Sequence, residues 1–185
     1  DSDLCNRMQR YRSHGITSDP KLMQPRPDDE IWNYQQIGLG FNYRMTEINA
    51  ALGVSQMIRL DEFVKKRHEI ANRYNRELSG LALKTPWQHS DSYSSFHLYP
   101  ICIDPDEGHQ TQRKVYDTFQ SSGVNVNIHY IPVYRQPYYE RLGFKKGYCP
   151  NSERYHKEAL SIPMYPSLEE LDQTKVIEIL NTLCR

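Results

Sequence analysis

Leu39-Gly40-Phe41-Asn42-Tyr43-Arg44-Met45-Thr46-Glu47 leads from a glycine loop into a long helical pattern. Gly38 and Gly40 let the backbone bend without Cβ conflict. Thr46 is a good N-cap, and Glu47 sits just inside the positive end of the helix dipole. The first amides of such a helix lack internal partners, so its mouth suits an anion. Asn42 can donate to a phosphate oxygen, and Arg44 can clamp one with two N–H groups. The same residues also serve a plain capped helix behind a surface turn.

Downstream of Thr46, apolar residues recur near the 3.6-residue period through Ile48, Leu52, Leu60, Phe63, Val64, Ala71, Tyr74 and Leu78. This predicts one long helix to about Leu78, with room for a bend near Arg59-Leu60-Asp61. Its opposite face carries Lys65, Lys66, Arg67, Glu69 and Arg73, and Lys65-Lys66-Arg67-His68 reads as a solvated face.

Upstream, Asp1 or Asp3 can cap a short helix bearing Leu4, Met8 and Tyr11 on one face. Gly15 suits the left-handed position that ends it. Residues 17–30, with three prolines and the acidic run Asp28-Asp29-Glu30, read as irregular loop. Ile31 to Ile37 reads as a short extended segment.

Beyond Ser79-Gly80, Ser95 to Asp104 alternates and predicts a strand, with Pro100 suited to a sheet edge. Residues 109–122 predict a helix buried through Val115 and Phe119. Val124 to His129 predicts a second strand, and Leu160 to Pro163 a third. Asn151 is the expected cap of a helix through Ala159. Ser167 is the expected cap of a last helix, with Leu171, Val176, Ile179, Leu180 and Leu183 inward. Residues 95–185 therefore read as a small α+β layer domain.

The 185 residues carry 23 Lys+Arg against 23 Asp+Glu, so no charge footprint favours nucleic acid or an acidic membrane surface. No apolar run reaches membrane-spanning length. Cys5, Cys102, Cys149 and Cys184 are far apart without a C-x-x-C, which predicts reduced thiols in a cytoplasmic protein. The seven histidines are scattered, so no metal site is expected. The chain opens on Asp1-Ser2-Asp3, which reads as the interior of a longer protein. Paired acids such as Asp104 and Asp106 read as turn chemistry. No catalytic triad spacing, Walker loop or H-E-x-x-H is present.

A second stretch invites a ligand. His129-Tyr130-Ile131-Pro132-Val133-Tyr134 ends a predicted strand in a proline-stiffened turn. His129 can donate to a hydroxyl or phosphate, while Tyr130 and Tyr134 can flank a sugar or base. The alternative is a hydrogen-bonded structural histidine with tyrosines packed under a loop. Seven of the 14 tyrosines fall between Tyr130 and Tyr165, which suits half-buried walls or subunit contacts.

Gly40 to Gly53, with Arg12-Ser13-His14-Gly15-Ile16 upstream, resembles the signature of the DegT/DnrJ/EryC1/StrS family of pyridoxal-phosphate-dependent nucleotide-sugar aminotransferases. Leu60-Asp61-Glu62-Phe63, Arg67 to Ala71 and Tyr74 continue the resemblance. His129 to Tyr134, Pro137-Tyr138-Tyr139, Leu142-Gly143-Phe144, Gly147 to Pro150 and Ser161 to Pro166 are similar to the subgroup that makes the 4-amino sugar precursor of pseudaminic acid. The resemblance implies an α/β fold, the C-terminal portion of a fold-type I transferase. It consists mainly of the small α+β domain with a long connecting helix. The expected division is 1–45 for the end of the large cofactor-binding domain, 46–80 for the connecting helix and 81–185 for the small domain.

The resemblance further implies pyridoxal 5'-phosphate as cofactor, glutamate as amino donor, a 4-keto nucleotide sugar as acceptor, and a homodimer. Asn42 matches the asparagine that reaches the cofactor phosphate of the other subunit. Tyr43, Arg44, His129, Tyr130 and Tyr134 match segments near the substrate. The family's catalytic lysine, which binds the cofactor covalently, lies upstream of the segment matching Arg12 to Ile16. It has no counterpart here, since Lys21, Lys65 and Lys114 sit in a loop and on polar helix faces. This implies a chain inactive alone. Two other readings stand beside it: a non-catalytic interaction module, and a sugar dehydratase of the same family with histidine in place of the lysine. Uncovered apolar patches are expected over residues 1–60, with association or poor order over 1–45.

Overall fold

The computed structural model describes residues 1–27, 29, 34–104 and 110–185. The chain divides into two compact units, Asp1–Ile58 and Arg59–Arg185.

The first unit is built around backbone pairing. Helix α1 (Ser2–Arg12) starts where Asp1 Oδ1 accepts from the Asp3 and Leu4 amides. It ends in a left-handed residue, but that residue is His14, at φ +61°. Gly15 follows one position later at φ +71°, and its amide closes back on the Arg10 carbonyl at 2.9 Å. This is the six-to-one bond of a Schellman end, so Gly15 lies one place beyond the expected position. Strand β1 (Ile16–Thr17) then pairs antiparallel with β2 (Gln35–Gln36). Of the expected extended segment, Ile31 to Asn33 lies outside the described residues, as do Asp28 and Glu30 of the acidic run. Helix α2 (Glu47–Met57) closes the unit, capped by the Thr46 hydroxyl, which accepts from Asn49 N at 3.3 Å.

The single long helix is in fact two. Helix α3 (Leu60–Glu77) begins after Arg59, whose φ of −102° and ψ of 1° leave helical geometry. The unit boundary thus falls between Ile58 and Arg59, inside the segment expected to be continuous.

The second unit holds a three-stranded antiparallel sheet in the order β3-β4-β5: Leu83–Lys84, Tyr99–Ile103 and Ala159–Ile162. Ser95 to Leu98 is not part of the second strand. Val124 to His129 is not a strand either. Its backbone pairs with β5 only at Asn127, which exchanges both backbone bonds with Ser161 at 2.8 and 3.1 Å. Strand β3 was not foreseen, because two residues carry no periodicity.

Pro100 lies in the central strand, yet it costs no ladder bond. Its partner across the sheet is Ser161, whose amide and carbonyl both turn to Asn127 instead. On its other side β3 pairs only with Cys102 and Ile103. The missing proline N–H therefore faces a gap in the sheet.

Tyr99, Ile101 and Ile103 point into the core, which they share with Tyr74 and Leu78 of α3. Helix α4 (Gln112–Ser121) adds Val115 and Phe119, as expected, behind the Thr111 cap. Helix α5 (Pro137–Arg141) follows a 3-10 turn at Val133–Arg135. Helix α6 (Pro150–Glu158) starts one residue before Asn151, with proline at N1, where no amide is needed. Helix α7 (Glu170–Leu183) has Glu169 rather than Ser167 at its N-cap position. It buries Val176, Ile177 and Leu180, whereas Leu171 is 80% exposed. At about 100° per residue Leu171 lies about 180° around the helix from Leu180, so it faces outward.

Part of the basic face of α3 is structural rather than solvated. Arg67 Nη1 donates to the carbonyls of Phe96, His97 and Met164 at 2.8, 3.2 and 2.8 Å. His68 Nε2 lies 2.8 Å from Ser94 O and its ring stacks on Tyr93. Arg73 donates to Glu170 O and Thr174 Oγ1 of α7. Buried Gln173 of α7 returns a bond to Ile70 O at 2.9 Å. Long basic side chains pack their stems and satisfy loop carbonyls at the same time, which a charge pattern alone does not reveal.

Candidate functional site

The sequence-predicted residues fall in both units, and each group is described by itself. In the first unit, Phe41 to Tyr43 runs extended beside the end of α1. His14 N donates to Phe41 O at 2.9 Å, and Tyr43 N donates to Arg12 O at 3.0 Å. Ser13 and Asn42 form an antiparallel bridge. The two motif segments, Arg12 to Ile16 and Gly40 to Glu47, are therefore one local assembly.

Close backbone approach explains two of the glycines. A Cβ on Gly15 would lie 2.0 Å from Gly38 O, and one on Gly40 would lie 2.2 Å from Gly15 N. Gly38 itself has open space where a Cβ would go. Flexibility thus matters less here than the absence of a side chain.

Asn42, Tyr43 and Arg44 are all exposed. The Tyr43 ring stacks on Phe41 with centroids 4.9 Å apart. Neither the Asn42 amide nor the Arg44 guanidinium has a side-chain partner among the described residues, so both keep their donors for something else. With Thr46 capping α2 just beyond, this loop fits a phosphate group. Lys21, Lys65 and Lys114 are exposed and none offers the apolar setting that would free an amine for covalent work.

In the second unit, His129 is half-buried and its Nδ1 lies 2.8 Å from Ser161 Oγ of β5. The Tyr130 ring meets it edge-on at 4.7 Å and is 72% exposed. Tyr134 has a local duty. Its hydroxyl donates to Glu153 Oε1 of α6 and accepts from Cys149 N at 3.3 Å. The Gly147 amide also donates to Glu153 Oε1, at 2.6 Å. The Tyr134 hydroxyl, chiefly, and the Gly147 amide hold the Glu153 carboxyl below its ordinary value. Tyr134, Tyr148, Phe144 and Tyr139 form an aromatic chain with centroids 5.0–6.3 Å apart. The proline- and tyrosine-rich segment is thus stitched to α6, with Tyr130 left as an open ring.

The bonds of Arg67 and Glu153 carry no sequence signal, since their partners lie far off in sequence or are backbone atoms, whereas the Tyr134 contacts are those of the alternative with tyrosines packed under a loop. No group of His, Cys, Asp or Glu among the described residues can hold a metal ion. No helix among them is long and apolar enough to cross a membrane. Asp106 lies outside the described residues, while Asp104 pairs with Lys84 at 3.1 Å.

The first unit leaves its apolar side chains uncovered, as expected. Met8, Leu39, Ile48, Leu52, Val54, Met57 and Ile58 are each at least 60% exposed. A groove of about 630 Å³ runs between α1 and the Phe41–Tyr43 strand, floored by Leu4, Met8 and Tyr11.

Two clasped motifs, an anion-ready helix mouth and a small antiparallel domain together define a class. The chain belongs to the DegT/DnrJ/EryC1/StrS aminotransferase family, which matches residues 1–181. It is 30% identical over 188 residues to the spore coat polysaccharide biosynthesis protein SpsC of Bacillus subtilis, covering all of this chain and 48% of that protein. It is 31% identical over 172 residues to a UDP-4-amino-4,6-dideoxy-N-acetyl-beta-L-altrosamine transaminase of Campylobacter jejuni, covering 92% and 42% respectively. The fold matches Helicobacter pylori PseC, an aminotransferase of pseudaminic acid biosynthesis, with a TM-score of 0.83 at 23% identity. That match covers 100% of this chain and 47% of PseC. The chain spans about half the length of the curated relatives it matches.

Proposed function

We propose that this chain is the C-terminal part of a pyridoxal-phosphate-dependent aminotransferase. The whole enzyme would move an amino group from glutamate to a 4-keto-6-deoxy nucleotide sugar in surface-polysaccharide or glycan biosynthesis. In this reading residues 1–45 end the large domain, 46–80 connect, and 81–185 form the small domain of a homodimer subunit. The two relatives named in polysaccharide and amino-sugar chemistry support the substrate class. The observation that carries the reading is the loop at Asn42 and Arg44, whose donors are exposed and without side-chain partners at the mouth of α2.

Pyridoxal phosphate, when bound, supplies the electron sink that labilises the donor and carries its amino group to the acceptor. This chain's residues bind and orient. The Asn42 amide donates to a phosphate oxygen of the cofactor held by the neighbouring subunit. Arg44 neutralises phosphate charge beside it, and the Tyr43 ring, braced on Phe41, walls that side. His129, fixed by Ser161, and Tyr130 form a wall for the sugar nucleotide. Tyr134 holds the turn that presents them. No lysine here suits the covalent role, so the chain alone is inactive.

The uncovered apolar faces of α1 and α2 support completion by further polypeptide. Burying one aliphatic side chain contributes about 1.5–3 kcal/mol, so covering several would drive assembly. The test is complementation. The chain is mixed with the N-terminal half of a full-length relative, pyridoxal phosphate, glutamate and a UDP-4-keto-6-deoxy sugar. Formation of the 4-amino sugar is expected from the mixture and from neither half alone. Folded, associated halves that aminate no such sugar would overturn the reading.

A further inference from the structure

The second unit contains a cleft that the aminotransferase reading leaves unused. It measures about 450 Å³ and lies between the start of α3, the loop at Ser95–His97 and the loop at Pro166–Ser167. Arg59, Arg67, His97, Ser95 and Ser167 supply polar groups, and Phe63 supplies an apolar wall. No carboxylate is among its lining residues. Asp61 and Glu62 occupy the same turn of α3 but do not line it.

Arg67 makes this cleft a prebuilt one. Its Nη1 alone binds three carbonyls, at Phe96, His97 and Met164, and so ties all three walls together. Its Nε and Nη2 make no hydrogen bond among the described residues. A half-buried guanidinium is therefore locked in place with three N–H groups to spare. Arg59 lies over the Phe63 ring, 4.8 Å from its centroid, and has no acidic partner among the described residues. Two arginines, a histidine and two serines thus line one cleft with no carboxylate among the described lining residues.

We propose that this cleft binds a small phosphorylated molecule, with its phosphate between Arg59 and Arg67 and a compact, partly apolar body against Phe63. A phosphate monoester carries about −1.5 to −2 at neutral pH, which matches two guanidiniums better than one carboxylate does. The hydroxyls of Ser95 and Ser167 supply further donors to its oxygens. The volume leaves room beyond the phosphate for a sugar or a heterocycle. The site stands whether or not the aminotransferase reading does, because every residue in it belongs to the second unit.

The test uses the chain as it stands, titrated by calorimetry at low salt with inorganic phosphate, pyrophosphate and L-glutamate. Saturable binding of phosphate and pyrophosphate is expected, with glutamate at least ~10-fold weaker. Arg59→Gln should weaken phosphate binding ~10-fold or more at unchanged melting temperature, since charge-assisted bonds carry that much. Arg113→Gln, on the exposed face of α4, should leave it unchanged. If Arg59→Gln fails to fold, the Ser95→Ala/Ser167→Ala pair decides in its place, with a several-fold loss expected. Absent saturation, an equal loss in the Arg113 variant, an undiminished Arg59 variant, or glutamate binding as tightly as phosphate would each overturn the proposal.

Discussion

Gly40 sits so close to Gly15 that a Cβ added to it would lie 2.2 Å from the Gly15 amide nitrogen. This contact joins the end of α1 to the loop that carries Asn42. It predicts that Gly40→Ala separates the two motif segments, because the obstacle is backbone and cannot swing away. Gly15→Ala should be worse, since it adds the strain of φ +71° to a clash with Gly38 O. Gly38→Ala should be near neutral. Hydrogen exchange of the Phe41 and Tyr43 amides, both bonded to α1 carbonyls, reads the difference directly.

Leu180 and Leu171 lie on the same helix with opposite fates. Leu180 is fully buried and Leu171 is 80% exposed. Leu180→Ala should cost about 2–5 kcal/mol in urea unfolding, through lost transfer energy and a residual cavity. Leu171→Ala should stay within about 0.5 kcal/mol. A large loss at Leu171 would restore the inward position expected from its place in the apolar pattern.

Glu153 makes the Tyr134 segment sensitive to acid. Its carboxyl is held below the ordinary value by the Tyr134 hydroxyl first and the Gly147 amide second. A depressed carboxylate contributes stability that is present above its unfolded value, near 4.5, and is lost as pH falls through the folded value. The turn at 130–149 should therefore loosen below pH 4.5, seen as a change in near-ultraviolet tyrosine dichroism. Glu153→Gln should flatten that pH dependence and loosen the turn at neutral pH.

The four thiols should react in a set order. Cys5 is exposed, whereas Cys184 is buried and burial pushes its thiol up to about 11. Burial raises the Cys102 thiol as well. At pH 8 an alkylating reagent should modify Cys5 first and Cys184 only on unfolding, because the thiolate is the nucleophile. Mass spectrometry of timed samples gives the order. Early modification of Cys184 would mean that α7 detaches readily.

Much of the fold was legible wherever a signal is local. Asp1 and Thr46 act as caps, and Val115, Phe119, Val176 and Leu180 fill the core, because caps and helical periodicity depend on neighbours a few residues away. The errors cluster where pairing is distant. Val124 to His129 alternates like a strand, yet its backbone pairs with β5 only at Asn127. Pro100 looked like an edge residue and lies in the central strand, excused by Ser161 turning to Asn127. Of the candidate site residues, Asn42 and Arg44 have no side-chain partner among the described residues. Tyr134 spends its hydroxyl on Glu153 and Cys149, partners 19 and 15 positions away.

By itself the sequence determined the family, through motifs whose residue types are chemically irreplaceable, and the helices, through patterns that repeat every turn. Only the tertiary structure decided that close backbone contact requires Gly40, and that Gly15 is needed for contact as well as for its positive φ. It also decided that the long helix is broken at Ile58–Arg59, and that Arg67 bonds three carbonyls of two distant loops while keeping three N–H groups without a partner among the described residues. The physical reason is range. Helix propensity and capping act along the chain, whereas steric contact, carbonyl satisfaction and the charge balance of a cleft depend on which distant segments meet.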